Sequence, residues 1–356
     1  MLICDIVIPI WNQPDRTRRC LDSIRESTQE LVRLILIDNG SQSPTREYLE
    51  QFKAASPVPV LLIQNPTNLG FIKATNQGIR AGQSPWVCLL NNDTVVTPGW
   101  LTEMLKVAAD PRIGLVNPTS NSLGFSLGQT PLETYAENLK TQSGRWAELP
   151  MALGFCLLAK RSLLDQVGGL DESFGMGNFE DEDLSKKVKK TGLRCVRACA
   201  AYVYHEEKTS FRELPDWKEQ FRANRRRFEE RWGRSLRILF APLNSSDSLS
   251  LPKEAILQLA AQGHWLYFAA PPDRIPREIS SHAQVTTLPV HRSRWRLEAT
   301  LRLLIRRKKP FDLVISYDDA WSRWVRQLKW LHSAHLLPMP TDQEILDQCR
   351  QLSGRN

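Results

Sequence analysis

At 356 residues and 42% hydrophobic content, the chain is long and apolar enough for two globular domains, which excludes a disordered or fibrous protein. No run of 18 or more apolar residues occurs, and Met1 to Pro9 reads as a strand without a basic leader; neither a spanning helix nor a signal peptide is expected, and a cytoplasmic location is. The net charge of +8 lies mostly beyond residue 235, where 17 Lys and Arg face 11 Asp and Glu, against 30 and 28 before it, and without a base-reading motif nucleic acid is not an expected partner.

In chain order, Ile3 to Ile10 is an apolar run ending in Pro9-Ile10-Trp11-Asn12, followed by a helix with Cys20, Leu21 and Ile24 on one face. Leu31 to Ile37 is a second run, closed by Asp38-Asn39-Gly40-Ser41 before Pro44 opens another helix. Val58 to Ile63 is a third, and Asn68-Leu69-Gly70-Phe71 leads into a helix reaching Ala81. Trp86 to Leu90 is a fourth strand, which stops at Asn91-Asn92-Asp93-Thr94, with Pro98 placed to start a helix. This alternation predicts an α/β fold, a mostly parallel Rossmann-like sheet with helices on both faces. Strands ending in Asn or Asp on one rim describe a polar ligand site where open α/β sheets hold their ligands. Each cluster taken alone reads equally well as a turn or cap.

Neither GxGxxG nor GxxxxGK[ST] is present, so phosphate has to be handled otherwise. A hard divalent ion on a carboxylate is the usual substitute, and Asp93 is the natural ligand; Asp38 could accept hydrogen bonds from a base or ribose. Beyond Ile113 to Asn117, the stretch from Pro118 to Pro150 reads as mobile surface near the site. Ala152 to Ala159 is apolar again, and a short helix reaches Val167. Four consecutive acids, Glu180 to Asp183, then open a helix that ends in lysines. That order suits the helix dipole, and equally it could place a general base beside Gly175 and Gly177. The seven cysteines lack CxxC spacing and read as reduced core thiols.

DIVIPIWNQ, LILIDNGS, NLGFIKATNQGI, LLNNDTVVTPGWL, GFCLLAKRSLLDQVGGLDESFG and FEDEDLSKKVKKTG together resemble, in order, the motifs of family 2 glycosyltransferases of GT-A fold, especially the rhamnosyltransferase-like branch. The resemblance covers roughly residues 3 to 235 and implies a catalytic domain over 1–235. It implies a nucleotide-diphosphate sugar donor on Pro9, Trp11, Asn12, Asp38, Asn68, Gly70, Lys73, Asn76 and Asn92. A Mn2+ or Mg2+ ion is implied on Asp93, Asn91 and His205, and a catalytic base at Asp181, with Glu180 and Asp183 as neighbouring candidates. The implied reaction is inverting, metal-dependent transfer to a hydroxyl of a glycan or lipid-linked acceptor, in polysaccharide biosynthesis. One departure stands at Asn91, where a strict DxD has a carboxylate; the site loses a negative charge and should hold its metal less tightly. A catalytically inactive nucleotide-sugar-binding scaffold and a nucleotidyltransferase are the alternatives.

Residues 236–356 alternate strand-like and helical segments: Arg237 to Pro242, Pro252 to Gln262, Trp265 to Ala269, Phe311 to Ser316 and Trp321 to Leu331. They predict a smaller α/β Rossmann-like accessory module, and RILFAPL with LAAQGHWLYFAA resembles the opening half of a GT-B glycosyltransferase. Within it, Arg292 to Lys309 carries eight basic residues and one acid among apolar positions, the pattern of an amphipathic basic helix. Such a helix is a solvated face or a peripheral contact with the inner face of a membrane.

Overall fold

The computed structural model describes residues 2–206, 216–243, 251–280, 282–305 and 309–354. Its contacts divide the chain into two compact units, Met1–Arg226 and Arg227–Asn356. The division falls within a helix, nine residues before the boundary expected from the sequence.

The first unit runs β1 (Cys4–Ile10), α1 (Pro14–Ser27), β2 (Val32–Asn39), α2 (Ser43–Ala55), β3 (Val60–Asn65), α3 (Phe71–Ala81), β4 (Trp86–Leu90), β5 (Thr94–Val96), α4 (Trp100–Ala108), β6 (Ile113–Thr119), α5 (Leu132–Leu139), β7 (Trp146–Glu148), β8 (Cys156–Lys160), α6 (Arg161–Val167), α7 (Glu180–Lys190) and β9 (Arg194–His205), and leads into α8 (Trp217–Trp232). Sheet order is β3-β2-β1-β4-β8-β6-β9-β5, with β7 also on β9. The strands β3, β2, β1 and β4 are parallel, β8 is antiparallel to both its neighbours, and β9 is parallel to β6. Alternation along β1 explains the two helical layers. Ile6, Ile8 and Ile10 share a core with Cys20, Leu21 and Ile24 of α1 and with α2 and α4. Val7 faces the other way, onto α3, where a Cβ on Gly78 would lie 2.4 Å from its Cγ1. Only glycine lets α3 sit that close.

Two segments differ from their sequence reading. The helix expected from Pro98 begins at Trp100, because Thr94–Val96 first pairs with β9. Three residues are too few to show a strand periodicity. The Pro118 to Pro150 stretch contains α5 and the edge strand β7, which hydrogen-bonds to β9.

Opposite the rim where the parallel strands end, Asp5 is a fully buried carboxylate. It accepts hydrogen bonds from Ser84 N and Oγ (2.8 Å each), Gln83 N (2.7 Å), Arg33 Nε (2.9 Å) and Arg161 Nη2 (2.8 Å). Burial alone would raise its pKa, yet the donors from Ser84 and Arg33 hold it below the ordinary carboxylate value. Its contribution is therefore present at neutral pH and lost as the pH falls through the carboxylate range.

The second unit contains β10 (Arg237–Ala241), α9 (Lys253–Ala261), β11 (Trp265–Ala269), α10 (Arg277–Ser280), β12 (Val285–Leu288), α11 (Trp295–Ile305), β13 (Leu313–Ser316), α12 (Asp319–Gln327), β14 (His335–Pro338) and α13 (Asp342–Ser353). Its five strands are all parallel, in the order β12-β11-β10-β13-β14. One apolar cluster joins α9, α10 and α13 to one face of this sheet, and a second joins α11 and α12 to the other. The four-residue strands β12 and β14, which the sequence did not mark, lie at its two edges.

Asp5→Ala should cost about 3–5 kcal/mol in a urea titration, because it strands two arginines and the Ser84 donors away from water. A loss under about 1 kcal/mol would show that the cluster is hydrated and dispensable.

Candidate active site

The carboxyl ends of β1, β2, β4, β6 and β9 lie on one rim, and β8, running against them, begins there. Strand β4 ends at Leu90, and Asn91 N donates to Phe155 O at 2.8 Å, which docks the Asn91–Asp93 turn on the residue before β8. Thr94 Oγ1 closes that turn onto Asn91 O at 2.8 Å. Pairing of β5 with β9 sets Thr94 opposite His205, and Glu206 N donates to Asp93 O at 3.0 Å. His205 Nε2 consequently lies 3.1 Å from Asp93 Oδ1. The imidazole is held from behind by Ser122 Oγ, 2.9 Å from Nδ1, and stacks on the Phe155 ring at 5.1 Å.

Asn91 Oδ1 is buried here without a hydrogen-bond partner, and the buried Asp93 Oδ1 has the His205 nitrogen as its neighbour. Buried acceptors are normally satisfied, and an amide oxygen, a carboxylate and an imidazole nitrogen are the donor chemistry of a cation site. Asn91, Asp93 and His205 are the residues here that could hold a divalent ion. Asn92 turns away, its Nδ2 donating to Thr17 Oγ1 on α1 at 3.0 Å.

The second carboxylate group reaches the rim through the same β8 approach. Gly154 N donates to Asp181 Oδ2 at 3.3 Å, and Glu182 N donates to Asp181 Oδ1 at 2.8 Å. Phe155, which touches Asn91 and His205, is thus adjacent in sequence to the residue that touches Asp181. Before α7, Asn178 and Phe179 have φ of 74° and 75°, a left-handed conformation that side chains rarely adopt. Asn224, 5% exposed, holds this segment by donating to Phe174 O at 2.7 Å and Gly177 O at 2.9 Å. Enclosure by protein raises the Asp181 pKa above the ordinary carboxylate value, against the donors from Gly154 and Glu182. Burial and then the Asp181 charge push Glu180 up to about 8. Asp183 points inward, fully buried, with Lys187 Nζ at 2.9 Å.

The expected donor residues fall into two groups. Pro9, Trp11 and Asn12 lie where β1 meets α1, and Asp38, the last residue but one of β2, is beside them, since Ile10 pairs with Asp38. Asn12, with φ of 56°, accepts from Gln42 N through Oδ1 and donates its own N to Ser41 Oγ, hooking the two turns together. Asp38 is fully buried, accepting from Ser41 N at 2.8 Å and Arg46 Nε at 3.4 Å. In the second group, Asn68 Oδ1 accepts from Gly70 N and from Asn39 Nδ2, both at 2.8 Å, and Lys73 is exposed on α3. Asn76 lies elsewhere: its amide holds Leu170 N and O and Glu172 on the loop before α7. The sequence reading passed over Gly154, Phe155, Ser122 and Asn224. Gly154 and Phe155 lie in the apolar run before β8, Ser122 in the loop after β6 and Asn224 within α8, and each acts through a partner at least 27 residues away.

A model of the family described as Glycosyl transferase family 2 matches residues 5–168. The N-acetylglucosaminyl-diphospho-decaprenol L-rhamnosyltransferase of Mycobacterium tuberculosis is 28% identical over 240 residues, covering 58% of this chain and 76% of that protein. The O-antigen biosynthesis protein RfbC of Myxococcus xanthus is 28% identical over 229 residues. That alignment covers 58% of this chain, which spans only 17% of the length of RfbC. The crystal structure of GalNAc-T7 with UDP, GalNAc and Mn2+ superposes with a TM-score of 0.50 at 15% identity, covering 65% of this chain and 51% of that one, which establishes a shared GT-A fold. With the rim geometry, the motif order and the family match in agreement, residues 5–168 match a glycosyl transferase family 2 domain.

Proposed function

We propose that this chain is an inverting, metal-dependent glycosyltransferase that moves a sugar from a nucleotide-diphosphate donor to a hydroxyl of a glycan or lipid-linked acceptor. Residues 1–235 would form its catalytic domain and 236–356 an accessory module. The observation that carries the reading is the convergence on Gly154 and Phe155 of Asp181 from one side and of Asn91, Asp93 and His205 from the other. The rhamnosyltransferase and O-antigen relatives support cell-surface polysaccharide synthesis as its setting.

In this reading Pro9, Trp11, Asn12 and Asp38 line the nucleoside end of the donor site. Asn91, Asp93 and His205 hold Mn2+ or Mg2+, which when bound would neutralise charge on the leaving nucleoside diphosphate. Asp181 takes the proton of the acceptor hydroxyl as that oxygen bonds to the anomeric carbon and the bond to the diphosphate breaks, the electron pair leaving with the diphosphate. A single attack of this kind inverts the anomeric centre, whereas retention through a covalent intermediate needs a second carboxylate against the opposite face of the sugar. The raised pKa of Asp181, caused by its enclosure, suits a base, because it holds a proton more firmly than an ordinary carboxylate. Burial, and then the charge of Asp181, push Glu180 up to about 8.

Asp93→Ala should keep the fold and abolish metal-stimulated donor turnover, measured as nucleoside diphosphate release with and without Mn2+; turnover with unchanged metal dependence would overturn the metal assignment. Asp181→Asn should leave donor affinity near wild type and lower transfer by about a hundredfold or more. Should that variant stay active while Asp183→Asn is dead, the base is the wrong carboxylate. Glu180 gives a separate test through stability. A carboxyl whose folded pKa is raised stabilises fully below its unfolded value of 4.5, and that contribution is lost as the pH rises through about 8. Glu180→Gln should therefore flatten the fall in melting temperature across this window; an unchanged slope would mean that Glu180 titrates normally.

A further inference from the structure

We propose that the outer face of α11 and α12 in the second unit docks on the surface of an anionic phospholipid bilayer, an interaction that goes beyond the transfer reaction and stands without it. The two helices pack side by side on one face of the second sheet. They share an apolar cluster, Trp295 and Trp321 touch with ring centroids 5.8 Å apart, and Trp321 Nε1 donates to Arg296 O and Thr300 Oγ1 at 3.0 Å each. Trp295, Ala299 and Leu303 of α11 and Trp321 and Val325 of α12 satisfy the inward side.

The outward side is not the polar face such a layer usually shows to water. On α11, Leu297, Leu301 and Ile305 recur at i, i+4 and i+8 and are 54%, 45% and 73% exposed. On α12 and the turn after it, Trp324 and Trp330 are 42% and 79% exposed, with Leu331 beside them at 40%. Lone exposed apolar side chains are ordinary, but six on one two-helix layer mark a docking surface.

Charge identifies what docks. Residues 292–331 hold eleven Lys and Arg against four Asp and Glu. Arg294 and Arg302 on the α11 side, and Arg326 and Lys329 on the α12 side, are exposed around the apolar positions; Arg306, Arg307 and Lys308 lie outside the described residues. Leucines that insert among acyl chains, tryptophans that sit at headgroup level and long cationic side chains that reach lipid phosphates are the chemistry of an interfacial helix. No helix among the described residues is long and apolar enough to cross a membrane, so the contact would lie in the interface plane.

The test is co-sedimentation of the full chain with sucrose-loaded phosphatidylcholine vesicles, with and without phosphatidylglycerol. The protein should pellet with the anionic vesicles and stay in the supernatant with the neutral ones, and added salt should weaken binding. The double variant Leu301→Glu, Ile305→Glu should lose binding by about tenfold or more with its melting temperature intact. Trp330→Ala, at a site too exposed to threaten folding, should weaken it as well. Failure to pellet with anionic vesicles, or wild-type binding by both variants, would overturn the proposal. A concentration-dependent dimer in light scattering that the double variant abolishes, without vesicle binding, would also overturn it and assign the face to a second copy of the chain.

Discussion

The rim depends on one topological constraint, the entry of β8 antiparallel between β4 and β6. Parallel strands deliver only their carboxyl ends to a rim, and a strand running against them delivers its amino end to the same place. In this chain that end is Gly154-Phe155. Its backbone binds Asn91 through Phe155 O and Asp181 through Gly154 N, and the Phe155 ring packs on His205. A βα unit with only parallel strands would have put helix-borne and strand-borne acids at unrelated depths.

The opposite end of the sheet is held by a different kind of polar contact. Asp5 is satisfied by five donors and lies below its ordinary pKa, whereas Asp181 and Glu180 are enclosed with fewer donors and lie above theirs. The same residue type is thus anchored at one rim and poised at the other, and the difference is the count of donors against desolvation. Strain follows the poised end, where Asn178 and Phe179 hold left-handed backbone and Asn224 ties the segment down. The buried, unpartnered Asn91 Oδ1 belongs to this end as well.

The second unit shows how a helix can satisfy its sheet and still be incomplete. Its inner faces reach full burial at Trp321, Val325 and Ala299, so the fold needs nothing further from α11 or α12. Their outer leucines and tryptophans contribute nothing to that core. That exposed apolar area is what the proposed bilayer contact would remove from water, at about 25 cal/mol per Å2.

Apolar runs of four to eight residues, punctuated by Asn, Asp, Gly and Pro, were enough to determine β1 to β4, α1 to α3, and the strand ends that carry Asn12, Asp38 and Asp93, because strand burial and turn chemistry are local properties. The family motifs likewise brought out Asp181 and His205 in linear order. The local pattern of the four acids opening α7 left their directions open, and tertiary structure decided them. Successive helical residues point about 100° apart, so Asp181 meets Gly154 while Asp183 turns inward to Lys187, and the local pattern does not say which direction holds the rim. It also decided that Asn76 holds Leu170, that Asn92 turns to Thr17, and that three residues after Asp93 form a strand bringing His205 within 3.1 Å. Each of these rests on a partner 75 or more residues distant, and the hydrogen bond that selects it exists only once the sheet has closed.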